Sequence, residues 1–107
     1  ENCRVQIFDY DGNFIEEWRD VLNPGDIHSD RKNLVYVAEQ GTPTGVAPNG
    51  ISIFSESGEL VSRFRGRDKG FSQPHGICTD SRGNIYTAEL SSPEYGGGKR
   101  VLKFAKI

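Results

Sequence analysis

The amino-acid sequence predicts an all-β protein built from short antiparallel strands. Three observations support this fold class. Thirteen glycines and five prolines interrupt a chain of 107 residues, and no stretch runs long enough at helical period to indicate a helix. Short apolar runs alternate with turn residues, which is typical of strands. The same series of runs recurs along the chain, and this internal repeat is the strongest of the three signals.

The repeat has an offset of 50 residues between the middle and the C-terminal parts of the chain. The segments that align without a gap are 24–30 with 74–80, 34–39 with 84–89, and 51–54 with 101–104. A third copy at the N-terminus has an offset of 46, and its matching segments are 5–8 with 51–54 and 14–18 with 60–64. The repeat therefore relates almost the whole chain to one structural unit.

Each unit contains four strand segments, named a to d in chain order. In the complete middle unit they lie at 26–29, 34–38, 51–54 and 60–64. The c–d connection at 55–58 and the a–b connection at 80–84 each contain a glycine, which supplies the positive φ that a tight turn needs. Four antiparallel strands in about 45–50 residues correspond to one blade of a β-propeller.

Over the whole chain the repeat predicts nine strands, near 4–8, 13–18, 25–29, 34–38, 50–54, 59–64, 75–79, 84–88 and 100–104. We expect one domain over residues 1–107, made of an outer c–d hairpin (1–23), a complete blade (24–73) and strands a to c of a further blade (74–107). The expected core consists of Ile7, Phe8, Phe14, Trp18, Ile27, Val35, Val37, Ile53, Phe54, Leu60, Phe64, Ile77, Ile85, Val101 and Phe104.

Residues 74–89, which read PHGICTDSRGNIYTAE, resemble the NHL repeat, and the hairpin between Arg4 and Trp18 resembles its outer strands. Within that family the chain is most similar to bacterial six-bladed propellers related to peptidyl-α-hydroxyglycine α-amidating lyase. The resemblance implies a closed ring, metal-dependent lyase or hydrolase chemistry with zinc or calcium as the candidate cofactor, and a secreted or periplasmic origin. The given chain shows no signal peptide of its own.

A chain with about two blades is too short to close a ring, because propellers have about 4–8 blades. Its two ends would expose sheet faces and unpaired strand edges, and both favour association. We therefore expect a homo-oligomer, with three copies completing a six-bladed ring and with two or four copies as alternatives. One strand is then surplus, since 5–8 and 101–104 match the same strand c.

Four residues at the expected mouth of the central channel are candidate ligand contacts. Asp26 and His75 lie near the start of strand a, and Glu39 and Glu89 end strand b. Because the two glutamates recur at the same repeat position, a structural role that accepts backbone N–H groups is favoured for them over chemistry.

The Pro-His motif at His75 resembles a position that supplies a three-histidine metal site in the amidating-lyase family. Gly25 occupies the matching position of the other copy, so one chain supplies one such histidine. Zinc takes three or four protein ligands, so a metal site requires that His75 be shared between chains. The alternative for His75 is a hydrogen-bonded side chain that lines the channel.

Simpler roles are expected for the other polar residues of these motifs. His28 aligns with Cys78, and both are expected at interior strand positions, His28 as a hydrogen-bonded wall residue and Cys78 as a buried free thiol. Cys3 is expected to be a second free thiol, and a bridge between Cys3 and Cys78 is the less favoured alternative. Asp30 and Asp80 are expected to stabilise turns through their own backbone.

Composition excludes some partners. Thirteen basic and fifteen acidic residues give a net charge of −2, whereas a nucleic-acid binder usually has a basic excess. The basic run Arg63, Arg65, Arg67 and Lys69 is therefore expected to be a solvated linker, and nucleic acid is not expected as a partner. No apolar run is long enough for a membrane span.

Three functional hypotheses follow. The favoured one is a non-catalytic β-propeller ring, assembled from several chains, that binds a ligand or a protein. The second is a metal-dependent enzyme similar to the amidating lyase or a hydrolase, with a His75 site shared between chains; it is weaker because catalytic residues outside the Pro-His motif have no match here. The third is a truncated gene fragment that folds by oligomerising and has no selected activity.

Overall fold

The structure is a computed structural model that describes residues 4–41, 48–65, 74–89 and 100–106. These residues form strands and turns and contain no helix. The strands are β1 (Val5–Phe8), β2 (Phe14–Trp18), β3 (Pro24–Ser29), β4 (Val35–Glu39), β5 (Gly50–Phe54), β6 (Leu60–Arg65), β7 (Pro74–Thr79), β8 (Ile85–Glu89) and β9 (Arg100–Phe104). The predicted all-β class is confirmed, and each strand begins and ends within one residue of its predicted bound.

The strands form three antiparallel sheets that follow one another along the chain. The first sheet contains β1 and β2, the second has the order β3-β4-β5-β6, and the third has the order β7-β8-β9. Within each sheet, strands that are consecutive in sequence pair with each other. In the described part of the chain, the second sheet alone has the four strands a to d of the repeat.

The tight turns have the backbone geometry that the repeat predicts. Gly12 and Gly58, in the two c–d connections, have φ values of 85° and 94°, and Gly83 in an a–b connection has φ 85°. Asn33 occupies the matching a–b position in the second sheet with φ 63°. Asparagine tolerates this left-handed region better than most residues, so the turn survives without glycine.

The second and third sheets enclose one hydrophobic core. Its buried members from the second sheet are Tyr36, Ala38, Ile51 and Ile53, and those from the third sheet are Ile77 and Ile85. The rings of Phe64 and Phe104 lie at its border with their centroids 5.5 Å apart.

The first and second sheets enclose another core on the opposite face of the second sheet. It contains Val5, Trp18, Val21, Val37 and Phe54. The rings of Trp18 and Phe54 are 5.3 Å apart. This pair occupies the repeat positions of Phe64 and Phe104, so the same aromatic contact joins each sheet to the next.

Five of the expected core residues are exposed in the chain, and the prediction is wrong for them: Phe8, Phe14, Ile27, Leu60 and Val101. The repeat shows why for two of them. Ile27 is 49% exposed, whereas its counterpart Ile77 is 7% exposed against the second sheet. Val101 is 71% exposed, whereas its counterpart Ile51 is fully buried against the third sheet. Ile77 is covered by β3 and β4, whereas Ile27 lies on the face toward the first sheet, which has strands c and d alone in the described residues. Val101 lies on the far face of the third sheet, beyond which the described residues form no further sheet.

The other expected core residues are buried or half-buried. The prediction missed five buried apolar residues, namely Val5, Val21, Tyr36, Ala38 and Ile51. Cys78 is exposed rather than buried, because it lies on the far face of the third sheet, where its counterpart His28 has a neighbouring sheet. Cys3 lies outside the described residues.

Candidate functional site

The four predicted ligand contacts lie at one end of the second and third sheets, away from the a–b turns. Pro24 pairs with Glu39, and Pro74 pairs with Glu89 in the same register. A β-bulge follows each proline, so Gly25 and His75 occupy matching irregular positions. The strand arrangement therefore brings the four predicted ligand contacts to the same end of the two sheets, but the contacts that each of them makes differ.

Glu39 is a fully buried carboxylate in an ion pair. Its Oε2 lies 2.6 Å from Nη2 of Arg65, and its Oε1 accepts a hydrogen bond from Nε at 3.0 Å. This two-point contact suits the planar guanidinium. Breaking such a pair is strongly destabilising, because removal of one partner leaves an uncompensated charge in the interior.

The remaining hydrogen-bonding capacity of Glu39 is also used. Its Oε2 accepts the backbone N–H of Leu22 at 2.8 Å, and its Oε1 accepts the hydroxyl of Ser52 at 2.7 Å. Leu22 belongs to the connection between the first and second sheets, so the carboxylate holds that connection against β4. Glu39 is therefore part of the internal structure of the sheet, and it presents no free oxygen to a ligand.

Asp26 also has a structural contact. Its Oδ2 accepts the backbone N–H of Ile77 at 2.9 Å, which joins β3 to β7 across the two sheets. The counterpart of Asp26 in the third sheet is Gly76, and a Cβ atom there would lie 3.9 Å from this oxygen. This is an ordinary van der Waals distance, so the contact of Asp26 with the backbone of β7 does not depend on glycine at position 76.

His75 is exposed at the start of β7, and Glu89 is buried at the end of β8. At the matching position of the second sheet, a Cβ atom on Gly25 would lie 2.8 Å from Nε2 of Gln40, so a side chain there would require the flexible Gln40 side chain to move. Within the described ranges, no three His, Cys, Asp or Glu side chains are grouped closely enough to hold a metal ion. Zinc or calcium bound through His75 stays a prediction about an assembly of chains.

His28 is half-buried between the second and third sheets. Its Nε2 lies 3.0 Å from Oγ1 of Thr79, and its ring packs against Tyr36 with the centroids 6.1 Å apart. The predicted role of a hydrogen-bonded wall residue is confirmed. Together with Asp26, it fixes β3 against β7.

The interpretation of the basic run as a solvated linker is wrong for its first two members. Arg63 and Arg65 belong to β6, and both are half-buried rather than solvated. Arg63 donates to Oγ of Ser52 at 2.7 Å and forms an ion pair with Asp20 at 3.2 Å. The other two members, Arg67 and Lys69, lie outside the described residues.

The a–b turns form the opposite end of the two sheets, and each is held by an aspartate. In the second sheet, Oδ1 of Asp30 accepts the backbone N–H groups of Lys32 and Leu34 at 2.9 and 3.0 Å. In the third sheet, Asp80 accepts those of Arg82 and Asn84 at the same distances. The predicted turn-forming role of both aspartates is confirmed.

A groove of about 840 Å³ lies between these two turns and runs outward between the second and third sheets. Its floor is apolar and includes Tyr36, Ile53 and Ile85. Its rim carries four exposed cations, which are Arg31, Lys32, Arg82 and Lys106. The ionised carboxylates of Asp30 and Asp80 also line the groove, so four cations and two anions leave a formal charge of +2 beside the apolar floor.

Sequence reasoning missed this groove, because its cations are ordinary turn residues in the sequence. A signal was present in the repeat, since each turn places a basic residue two positions after its aspartate, at Lys32 and Arg82. Only the stacking of the two sheets shows that these turns lie side by side. None of the four rim cations forms an ion pair with a carboxylate in the described part of the chain.

Comparison with protein-family models, with curated proteins and with solved structures returned no match for this chain. The described residues contain no helix that is long and apolar enough to cross a membrane.

Proposed function

We propose that this chain is a non-catalytic binding module of the NHL-type β-propeller class, and that several copies assemble into its ring. The repeated aromatic contact supports the propeller, because Trp18 meets Phe54 and Phe64 meets Phe104 in the same way between successive sheets. Three copies would supply six blades. The exposed sheet faces at Ile27 and Val101 support association, since apolar faces of this kind mark contact sites.

The observation that carries the binding function is the groove with its four cations. Arg31, Lys32, Arg82 and Lys106 outnumber the two aspartates that line the groove, which therefore has a formal charge of +2 on a chain whose net charge is −2. A volume of about 840 Å³ falls within the range of about 300–1,000 Å³ that is typical of ligand pockets. The groove has polar rims and an apolar floor, as such pockets do.

The ligand class that fits this chemistry is an acidic peptide segment with an apolar side chain. Carboxylates of the peptide would meet the guanidinium groups of Arg31 and Arg82, which favour two-point contacts with carboxylates. An aromatic or aliphatic side chain would lie on the floor formed by Tyr36, Ile53 and Ile85. Nucleic acid fits less well, since bases stack on aromatic side chains and two of the three floor residues are aliphatic.

The binding proposal is tested with a fluorescein-labelled peptide of alternating glutamate and leucine residues, followed by fluorescence anisotropy. We expect binding that weakens as salt is added, because exposed charges are screened. Charge reversal at both Arg31→Glu and Arg82→Glu should abolish binding. The conservative pair Arg31→Lys and Arg82→Lys is the matched control and should retain most of it.

Two results would overturn the proposal. One is equal binding of a peptide in which lysine replaces each glutamate. The other is binding of a single-stranded RNA oligonucleotide without binding of the acidic peptide. The ring itself is tested separately by sedimentation velocity, for which a mass of several chains is expected and a monomer at all concentrations is the contrary result.

A further inference from the structure

The buried ion pair of the second sheet has a counterpart position in the third sheet. Glu89 ends β8 as Glu39 ends β4, at the repeat offset of 50, and both side chains are buried. In the second sheet the guanidinium comes from Arg65, at the end of the outer strand β6. The third sheet, as far as the structure describes it, ends at β9 and has no strand at the place of β6.

The first sheet contains the strand that matches this place. β2 aligns with β6 at the offset of 46, which puts Arg19 at the repeat position of Arg65. The side chain of Arg19 is 68% exposed, and its partner is the surface residue Glu17. In the described residues, the first sheet has strands c and d alone, and the third sheet has strands a, b and c alone. In the described residues, the first sheet thus has the strand d that the third sheet lacks, and the third sheet has the strands a and b that the first sheet lacks.

The exposed faces agree with this relationship. The far face of the third sheet exposes Cys78, whose counterpart His28 is half-buried in the second sheet. It also exposes Val101, whose counterpart Ile51 is buried. The face of the second sheet that packs against the first sheet is covered there by strands c and d alone, and it exposes Ile27 at the position where the third sheet buries Ile77. These two faces are therefore the two halves of an interface that the chain already forms once, between its second and third sheets.

We propose that β2 of a second copy of this chain completes the third sheet as its outer strand and places its Arg19 against Glu89, as Arg65 meets Glu39 in the second sheet. The inference rests on the ring proposed above. The contact is head-to-tail, so its repetition closes a ring when the rotation permits. Both β1 and β9 match β5, so either one can be the strand between β8 and the incoming β2. The position of Arg19 beside Glu89 is the same in both cases.

The test measures the mass and the dissociation constant of the assembly by sedimentation velocity for the wild type, Arg19→Glu and Arg19→Lys. Arg19 is exposed, so these substitutions leave the single chain able to fold, which circular dichroism verifies. We expect Arg19→Glu to weaken assembly about thirtyfold or more, because it sets two carboxylates together in a buried contact. Arg19→Lys should assemble less tightly than the wild type but better than Arg19→Glu.

The control is Glu56→Arg, a charge reversal of the same size in an exposed turn, and it should assemble like the wild type. The double variant Arg19→Glu with Glu89→Arg should recover assembly that Arg19→Glu loses. If the wild type forms an oligomer and Arg19→Glu forms it equally well, this inference is wrong and the ring stands. If the wild type remains a monomer at all concentrations, the ring itself is wrong.

Discussion

Tyr36 donates its hydroxyl hydrogen to Oδ2 of Asp30 at 2.8 Å, and Tyr86 makes the same bond to Asp80 at 3.0 Å. The other oxygen of each aspartate accepts two backbone N–H groups of the a–b turn. One carboxylate therefore connects the turn to the strand that follows it. This connection depends on ionisation, since a protonated aspartic acid accepts fewer hydrogen bonds.

Acid should weaken the fold through these aspartates. The hydrogen bond from the Asn84 side chain is the largest of several effects that lower the pKa of Asp80 to about 2. Burial raises the pKa of Asp30, but the hydrogen bonds from Leu34, Tyr36 and Lys32 leave it below its ordinary value. A lowered pKa in the folded state stabilises the fold above the ordinary aspartate pKa of 3.8. We expect this stability to be lost as the pH falls from about 4 towards 2, as measured by urea unfolding.

The variant Asp80→Asn separates this effect from general acid denaturation. It removes one titrating group, so its free energy of unfolding should depend less steeply on pH in this range. Asp11→Asn is the control, because it removes a carboxylate from an exposed turn. An Asp80→Asn protein with the same pH dependence as the wild type would contradict the role given to Asp80.

Alkali should act on Tyr36. Burial, followed by the hydrogen bond to Asp30, raises the pKa of Tyr36 to about 12. A group whose pKa is raised in the folded state stabilises the fold below its ordinary pKa of 10.0 and loses this contribution as the pH rises through about 12. We expect the phenolate absorbance of the wild type, after subtraction of Tyr36→Phe, to rise near pH 12. A rise centred near pH 10 would show that Tyr36 is not held in this contact.

Glu39→Gln should be strongly destabilising. The substitution keeps the shape of the side chain but leaves Arg65, whose side chain is 19% exposed, without its counter-ion. We expect a loss of about 3–5 kcal/mol in the free energy of unfolding, measured with urea. Glu56→Gln is the matched control on the surface and should change it by less than about 0.5 kcal/mol. Similar losses in both variants would show that the buried pair has no special role.

Trp18→Ala should be among the costliest apolar changes. Trp18 is buried against Phe54 and joins the first sheet to the second. Truncation of a large buried aromatic side chain costs about 3–5 kcal/mol. Tyr10→Ala is the comparison, because Tyr10 is fully exposed in a turn, and we expect a change of less than about 0.5 kcal/mol. Retention of wild-type stability by Trp18→Ala would contradict the aromatic contact between the sheets.

The strands were predictable because the sequence presents one unit three times, and a weak pattern in one copy is supported by the others. Gly58 and Gly12, for example, mark the same turn. Burial was less predictable. Ile27 and Ile77 are the same residue at the same repeat position, and they differ only in whether strands a and b of the preceding sheet cover them. Local sequence does not carry that information.

The site was predicted only in part. The positions of Glu39 and Asp26 at one end of the strands follow from the repeat, but their contacts join residues that are far apart in sequence. Arg65 lies 26 residues from Glu39, and Ile77 lies 51 residues from Asp26. Periodicity reports the direction of a side chain along its own strand, and it does not report which partner from another strand or sheet will meet it.

The hydrogen bond between Asp26 and the backbone of Ile77 makes the junction between the second and third sheets asymmetric, because one sheet supplies a carboxylate and the other a backbone N–H. Because the counterpart of Asp26 is Gly76, the third sheet has no carboxylate to offer a sheet on its far side. If chains assemble as proposed above, two chemically different junctions alternate between successive sheets, and each added chain contributes one of each. A tandem gene fusion of whole chains would preserve this alternation, whereas a fusion that adds one blade would break it. In the proposed assembly, the smallest repeating unit is therefore one whole chain.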